Sequence, residues 1–599
     1  MCGFTGVLSF DKINNTQLQS SNKFSICRGP DNLSTLEGND DLNYSLIFNR
    51  LSIIDLSQKA NQPFKSNQSN SILMFNGEIF NSEQLRKEYL KNNYKFESKN
   101  SDTETLMAGL ETYGIEFVNY LEGQFSFFYW KKESKKAYLV RDRLGQKPLY
   151  FYFDGNSIGF ASNLKSLISY FKDKEIDQSS IGQYLSYGVV FSPNNILKNY
   201  KKINPSTYLE IDYSENKFNT KFQKYWDISS YIDNKKFVQE EFIDLFSKSI
   251  EKRMFSDVPI ANFLSGGIDS TSIIKNMFEN NLEINTFSIL VKSPNLDESE
   301  YIKKAVTKYK TNHKSYIVDE KISNEIILNS INSLDEPFGD PSIVLTYYLS
   351  TEISKYYKVA ISGDGGDELL GGYKRLKNVL KNNNIAKNLF SKAHIFYPSF
   401  LGTGTIFKSK SNKTEFAYTS FLEDTNFYNL LLKNNNEFPL NKVNFDEIYD
   451  DYKKLIISDY KHYLSDQMLL KIDRASMANS LEIRSPLVDH NLIEYVLGHD
   501  YQYHEDNYQK KPLYDYLKND FDFEFLNRTK QGFVFDYKNW VYNNIEMIEP
   551  KIIENLCDKN LHLHIEDIRK LKIVKTRINA LRIWKLYVLS NYLESINNL

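Results

Sequence analysis

Two domains of different class are predicted by the sequence. The first is an α+β domain of stacked antiparallel sheets flanked by helices; the second is an α/β domain on a doubly wound parallel sheet with extra helices. Three observations carry this expectation. At 599 residues the chain is longer than one core organises. Up to about residue 225, short runs rich in β-branched and aromatic residues follow one another through short turns, with few crossover helices. Beyond that point, apolar strand-like runs alternate with helical patterns, the grammar of parallel βαβ units.

In the first domain (2–212) the strand-like runs are 45–54, 71–75, 124–130, 136–140 and 148–153. Helices are expected over 82–92 and 103–113, where apolar residues recur at helical spacing. The polar stretch 212–234 reads as a linker. In the second domain (235–599) strands are expected over 258–264, 285–291 and 358–362, and helices over 271–278 and 300–310. Residues 374–451, rich in Asn and Lys with weak periodicity, read as a variable insertion of helices and loops. No repeat of 20–50 residues is apparent.

Composition excludes several classes of function. A formal net charge of −2, with both signs interspersed, argues against nucleic acid and anionic membranes as partners. No apolar run is long enough to span a bilayer, and the start lacks the basic and apolar regions of a secretory signal. Three scattered cysteines make no disulfide framework, so a reducing, cytoplasmic setting is expected. His562 and His564 stand two apart and no H-E-x-x-H occurs, so a catalytic zinc is not expected.

Cys2 has two readings: an ordinary small thiol, or an N-terminal nucleophile exposed when methionine is removed. The first histidine in the sequence is His313, so the front domain offers no Cys–His pair. The α-amine of Cys2, with an unperturbed pKa of about 8, is the base at hand. Around Cys2 stands an ordered series of short motifs: Arg28-Gly29-Pro30-Asp31, Asn49-Arg50-Leu51-Ser52-Ile53-Ile54-Asp55, Gln62-Pro63, Asn76-Gly77-Glu78-Ile79-Phe80-Asn81, Ser101-Asp102-Thr103-Glu104 and Arg141-Asp142-Arg143-Leu144-Gly145.

Together with the Met-Cys-Gly start, these motifs closely resemble the glutaminase domain of class II glutamine amidotransferases, over roughly residues 2–165. The resemblance implies a fold of the N-terminal-nucleophile type, with Cys2 attacking the side-chain amide of glutamine and releasing ammonia. It implies that the Asn76 side chain and the Gly77 N–H hold the oxyanion. Arg50 would take the glutamine α-carboxylate, and Glu78 and Asp102 its α-ammonium. Read on its own, Asn76-Gly77 is a tight hairpin turn. One departure is Cys27, where the family usually has histidine.

Leu264-Ser265-Gly266-Gly267-Ile268-Asp269-Ser270 follows an apolar strand and precedes an amphipathic helix, a junction at which backbone N–H groups and hydroxyls can take an anion. The bland reading is a serine-capped glycine turn. The chain has no Gly-Lys pair, so a Walker A loop is excluded, and no G-x-G-x-x-G fingerprint. The full string resembles the pyrophosphate loop of ATP pyrophosphatases, which implies Asp269 as a Mg²⁺ ligand. Ser362-Gly363-Asp364-Gly365-Gly366-Asp367-Glu368, Asp335–Ser342, Leu469–Pro486 and Asn527–Phe533 are similar to the hallmarks of asparagine synthetases. By that resemblance the loop residues, with Ile289, Ser362 and Gly363, contact ATP. Asp367 is the second Mg²⁺ ligand, Asp364 a catalytic carboxylate, and Lys530 neutralises charge on the adenylate or its adduct. Lys471 reads as structural.

The implied reaction is ATP-dependent, glutamine-hydrolysing amidation of a carboxylate through an acyl-adenylate, with ammonia passed between domains. Aspartate is the expected acceptor, giving asparagine. The family often has Glu at position 364 and Pro at 529, where this chain has Asp364 and Thr529. The same chemistry on a sugar acid, a peptide or a cyclisation substrate therefore stays open. So does homodimerisation. A non-catalytic nucleotide sensor or scaffold is the alternative from another class; the presence of Cys2, Asp269 and Asp367 argues against it.

Overall fold

The computed structural model describes residues 2–90, 94–291, 297–318, 322–380, 397–411, 414–424, 427, 431, 450–500, 510–528, 534–561 and 563–599. Two six-stranded antiparallel sheets stack in the first domain. One runs in the order β10 (Tyr200–Lys202), β8 (Tyr150–Phe153), β9 (Ser157–Ala161), β1 (Cys2–Ser9), β3 (Asn43–Arg50), β2 (Asn32–Asn39). The other runs β12 (Asn219–Lys224), β11 (Thr207–Asp212), β7 (Lys136–Arg141), β6 (Gly123–Lys131), β5 (Ser71–Ile79), β4 (Phe64–Lys65). Residues 219–224, expected to be linker, instead pair with β11 and extend the second sheet.

Side-chain alternation along these strands decides what meets what. Cys2, Phe4 and Leu8 of β1 and Ile72 and Met74 of β5 share the apolar layer between the sheets. Leu73 and Phe75 point the other way, into a second layer under the helix Asp102–Tyr113. Buried on both faces, β5 reads as a continuous apolar run rather than an alternating one. Its even positions face β1, and Asn76 continues that series, so strand parity alone carries Asn76 toward Cys2.

The second domain holds a five-stranded parallel sheet in the order Asn312–Val318, Asn285–Val291, Ile260–Phe263, Val359–Ile361, Glu482–Arg484. The chain moves outward from Ile260–Phe263 on one side, then returns to the other. The switch point therefore lies between Ile260–Phe263 and Val359–Ile361, where open α/β sheets leave a crevice for ligands. Most of the proposed insertion at 374–451 lies outside the described residues.

The last helix, Arg577–Asn597, is buried around most of its circumference and joins one core with residues 181–191 of the first domain. The Tyr184 hydroxyl donates to the Lys585 carbonyl at 2.8 Å. Arg582 grips Asp424 through Nε (2.7 Å) and Nη2 (2.8 Å), both side chains nearly free of solvent. Removing one partner of a buried pair strands the other charge, at a cost of about 3–5 kcal/mol. Arg582→Ala should accordingly shift the urea midpoint down by that equivalent; an unchanged midpoint would show that the pair is not a structural tie.

Candidate functional site

In the first domain, Cys2 and Asn76 meet across the two sheets, with the Cys2 nitrogen donating to Asn76 Oδ1 at 3.0 Å. That bond turns the amide so that Nδ2 lies 3.5 Å from Ser126 Oγ, a weak contact. Burial pushes the Cys2 thiol above its ordinary pKa, opposed in part by the chain N-terminus, the Leu51 N–H and Arg50. The resting sulfur is therefore a thiol. Arg28 Nε donates to the Cys2 carbonyl at 3.1 Å.

Asn76-Gly77 is not a hairpin turn. It sits within β5, where Gly77 faces Phe125 of β6 in the ladder. A Cβ at Gly77 would collide with the Gln124 carbonyl, and its φ of 153° suits glycine. Glu78 and Asp102 lie close together, both buried. Burial raises both carboxyls, Glu78 well above the usual range, with Glu482 and Asp102 adding repulsion to Glu78. The Ile79 N–H donates to Asp102 Oδ2 at 3.1 Å.

Arg50, expected to take the glutamine α-carboxylate, binds the loop that follows it. Its Nη1 donates to the Ser57 carbonyl and Asn61 Oδ1, each at 2.8 Å, and its Nη2 to the Asp55 carbonyl, with a longer contact to Ile54. The fork is spent on the 54–61 loop, so Arg50 offers a carboxylate its charge and a fixed loop rather than an open bidentate face.

In the second domain a cavity of about 400 Å³ opens at the switch point. Leu264, Ser265, Gly267, Asp269 and Ser270 line it from one loop, and Ser362, Gly363, Asp364 and Asp367 from the next, with Ile289 between. Gly266 alone of the expected nucleotide residues does not line it; its φ of 68° makes the turn, and Tyr301 and Ile302 pack where a Cβ would go. The loop is tied by Gly267 N–H to Ser265 Oγ (3.3 Å) and by Ser265 Oγ to Ser270 Oγ (3.2 Å). The helix Ile268–Glu279 then starts with its N-terminus toward the cavity. Lys530 lies outside the described residues.

Asp269 and Asp367 converge on one cation, the ammonium of Lys510, which reaches Asp367 Oδ1 at 2.8 Å and also binds Asp269 Oδ2. Gly366 packs against Asp269 and Gly372 against Asp367 so closely that no Cβ fits at either position. Two hard carboxylates brought to one point beside this cavity fit Mg²⁺, which takes one or two carboxylates and completes its shell with phosphate and water. Among the described residues no group of three or more His, Cys, Asp or Glu forms a self-contained metal site.

Sequence reasoning missed several of the cavity's residues. Lys471, expected to be structural, is 7% exposed and lines the cavity; its recorded partner among the described residues is Met468 Sδ at 3.7 Å. Asp340, Lys510 and Arg528 also line it, and Arg528 pairs with Glu298 at 2.9 Å. Glu368, buried beside Asp367, is raised to about 7. Lys510 had no signal in its neighbourhood, since its partners lie 241 and 143 residues away.

A family model described as asparagine synthase matches residues 241–580, more than half of the chain, and one described as a glutamine amidotransferase domain matches residues 1–226. The chain belongs to the asparagine synthase family. It is 29% identical over 585 residues to asparagine synthetase (glutamine-hydrolyzing) 1 of Bacillus subtilis, covering 94% of this chain and 91% of that one. It is 31% identical to a provisionally named asparagine synthetase (glutamine-hydrolyzing) 2 of Methanocaldococcus jannaschii, covering 80% of this chain and 98% of that one. Asparagine synthetase (glutamine-hydrolyzing) 3 of B. subtilis is 27% identical, covering 83% and 80%. This asparagine synthase family member is thus a glutamine-hydrolysing ligase with an amidotransferase domain in front. Among the described residues no helix is long and apolar enough to cross a membrane.

Gly77→Ala tests the geometry around Cys2. The added methyl must displace β6 backbone by on the order of 1 Å, enough to cost about 100-fold in a positioned reaction. Glutamine hydrolysis should fall by that factor while synthesis from ammonium salts persists. Undiminished hydrolysis would show that β6 yields without disturbing the site.

Proposed function

We propose that this enzyme hydrolyses glutamine at Cys2 and uses the ammonia to amidate aspartate, activated by ATP as an acyl-adenylate. The observation that carries the first half is the bond from the Cys2 nitrogen to Asn76 Oδ1. Once Met1 is removed, that nitrogen is the α-amine. It is held beside its own thiol, and the thiol's raised pKa requires a base to take the proton as the sulfur attacks. With Oδ1 occupied, Asn76 is oriented to give Nδ2 to the oxyanion, alongside the Gly77 N–H. The ammonium of the substrate would favour the ionised form of the Glu78–Asp102 pair, whose carboxyls burial raises.

For the second half, the glycine loop and the helix behind it would take the pyrophosphate end of ATP, and Ile289, Ser362 and Gly363 the nucleoside end. Asp269 and Asp367 would hold Mg²⁺, which when bound supplies positive charge to the leaving pyrophosphate. Lys471 supports an amino-acid acceptor, because a buried ammonium in the cavity with no carboxylate partner among the described residues suits an α-carboxylate, while Asp340 suits an α-ammonium. Asp364 also lines the cavity, and it is the carboxylate we assign to managing the attacking ammonia.

Cys2→Ala should lose glutamine hydrolysis and, given ammonium salts, should release pyrophosphate in the presence of aspartate. Hydrolysis in the variant removes Cys2 from the reaction. Pyrophosphate release with a sugar acid or a peptide carboxylate but not with aspartate replaces the acceptor and leaves the chemistry. A second outcome concerns pH. Because the empty-site pKa of Glu78 is raised and ammonium binding favours the ionised form, glutamine binding releases a proton. KM for glutamine should therefore fall as pH rises toward that raised pKa and level off above it; a pH-independent KM would separate Glu78 from the ammonium.

A further inference from the structure

Helix Leu470–Met477 of the second domain touches both reaction centres. Lys471 and Ile472 line the nucleotide cavity. The next residue, Asp473, faces away from it into the first domain. Its Oδ2 accepts from Arg28 Nη1 at 2.8 Å and its Oδ1 from Arg28 Nη2 at 3.0 Å, a two-pronged pair across 445 residues of sequence. The same guanidinium keeps its Nε for the Cys2 carbonyl at 3.1 Å. Arg28, Asp473 and Arg474 are all at least nine-tenths buried, and Arg474 Nη1 adds a bond to Asp473 Oδ2 at 2.7 Å. A planar guanidinium fixed at both terminal nitrogens has no rotational freedom left for Nε. The direction of the Cys2 carbonyl, and with it the backbone that carries the thiol, is then set by a carboxylate of the other domain. Burial alone would raise the Asp473 carboxyl; Arg28, then Arg474 and Lys147, outweigh it and hold the group well below the usual carboxylate range, so the clamp keeps its charge.

We propose that Asp473 is a positioning residue of the glutamine-hydrolysing reaction, acting from the synthetase domain through Arg28 on the backbone of Cys2. The proposal rests on Cys2 as the nucleophile. It gives the front domain a catalytic geometry that is complete only when docked on helix Leu470–Met477. A residue that merely glues the interface would affect both activities alike; a positioning residue affects kcat of one.

Asp473→Asn, Arg28→Lys and the double variant are to be assayed with glutamine alone, and with ammonium salts plus ATP and aspartate. Asp473→Asn keeps the size and loses the charge, while Arg28→Lys keeps the charge and loses the fork. Each single variant should lower kcat for glutamine hydrolysis by about 10- to 100-fold, the range expected for a displacement of on the order of 1 Å. KM should stay within about threefold and ammonia-dependent synthesis within about twofold, since neither residue contacts the glutamine carboxamide or lines the nucleotide cavity. The double variant should be no slower than the worse single one, because both changes break one chain of contacts. Hydrolysis at the parental rate in Asp473→Asn overturns the proposal. So does additive loss in the double variant, or a fall in ammonia-dependent synthesis equal to the fall in hydrolysis in both single variants. Cys2→Ala measured beside them keeps the two readings apart: hydrolysis surviving there sinks the nucleophile assignment, whatever Asp473→Asn does.

Discussion

The structure depends on a buried web of charges at the junction of the two domains. Arg474 Nε meets Asp335 Oδ1 at 2.5 Å and Arg474 Nη2 meets the Tyr150 hydroxyl at 2.6 Å. That hydroxyl donates to Glu336 at 2.6 Å, and Lys202 pairs with Glu336 Oε2 at 2.9 Å. Farther along, Arg484 lies 3.5 Å from Glu78 and 2.6 Å from Glu482. Buried charges are tolerable only when each is matched, and matching demands fixed geometry. The web therefore adds little to stability compared with an apolar interface, but it permits only one relative placement of the domains.

That placement is what two linked reactions require. Segment 468–485 gives Met468, Lys471 and Ile472 to the switch-point cavity, Asp473 to Arg28 behind Cys2, Arg484 to Glu78, and Ser485, whose hydroxyl lies 2.8 Å from that of Ser362. Between the sites, Gln124, Lys147, Ile472 and Ser485 line a cavity of about 10 Å³. That is room for one water-sized molecule, which is also the size of ammonia.

What was legible in the sequence is what depends on local pattern. Strand Asn285–Val291 stands where its apolar run predicts, and Ile260–Phe263 and Val359–Ile361 lie within theirs. The nucleotide loops were readable because a strand, glycines and a helix start are neighbours in the chain. Strand β1 was not, because two glycines in eight residues dilute its signal; Gly6 is there because the Phe160 ring fills the space of a side chain. Strands β2 and β12 are exposed edges with polar sequences, held by partners rather than propensity. Lys510, Lys471 and the Arg28–Asp473 pair were unreadable for a different reason. Their meaning lies in contacts across hundreds of residues, and a lysine or an aspartate carries no local mark of its partner. The hairpin reading of Asn76-Gly77 failed on the same ground, since a close strand, not a turn, demands that glycine.

The cavity at the switch point, where we place the nucleotide, poses an electrostatic problem that its own residues leave unsolved. Asp269, Glu298, Asp340, Asp364, Asp367 and Glu368 line it, against Lys471, Lys510 and Arg528 among the described residues. Glu368, raised to about 7, relieves the excess in part by keeping a proton. A triphosphate brings several more negative charges into this space, and binding would be repelled unless cations entered with it. Lys510 already pairs with Asp269 and Asp367, so its charge is engaged there. A divalent ion held by those carboxylates would stand in the ammonium's place and would supply positive charge to a polyanion in the cavity. The cavity would then suit a polyanion only in the company of such a cation.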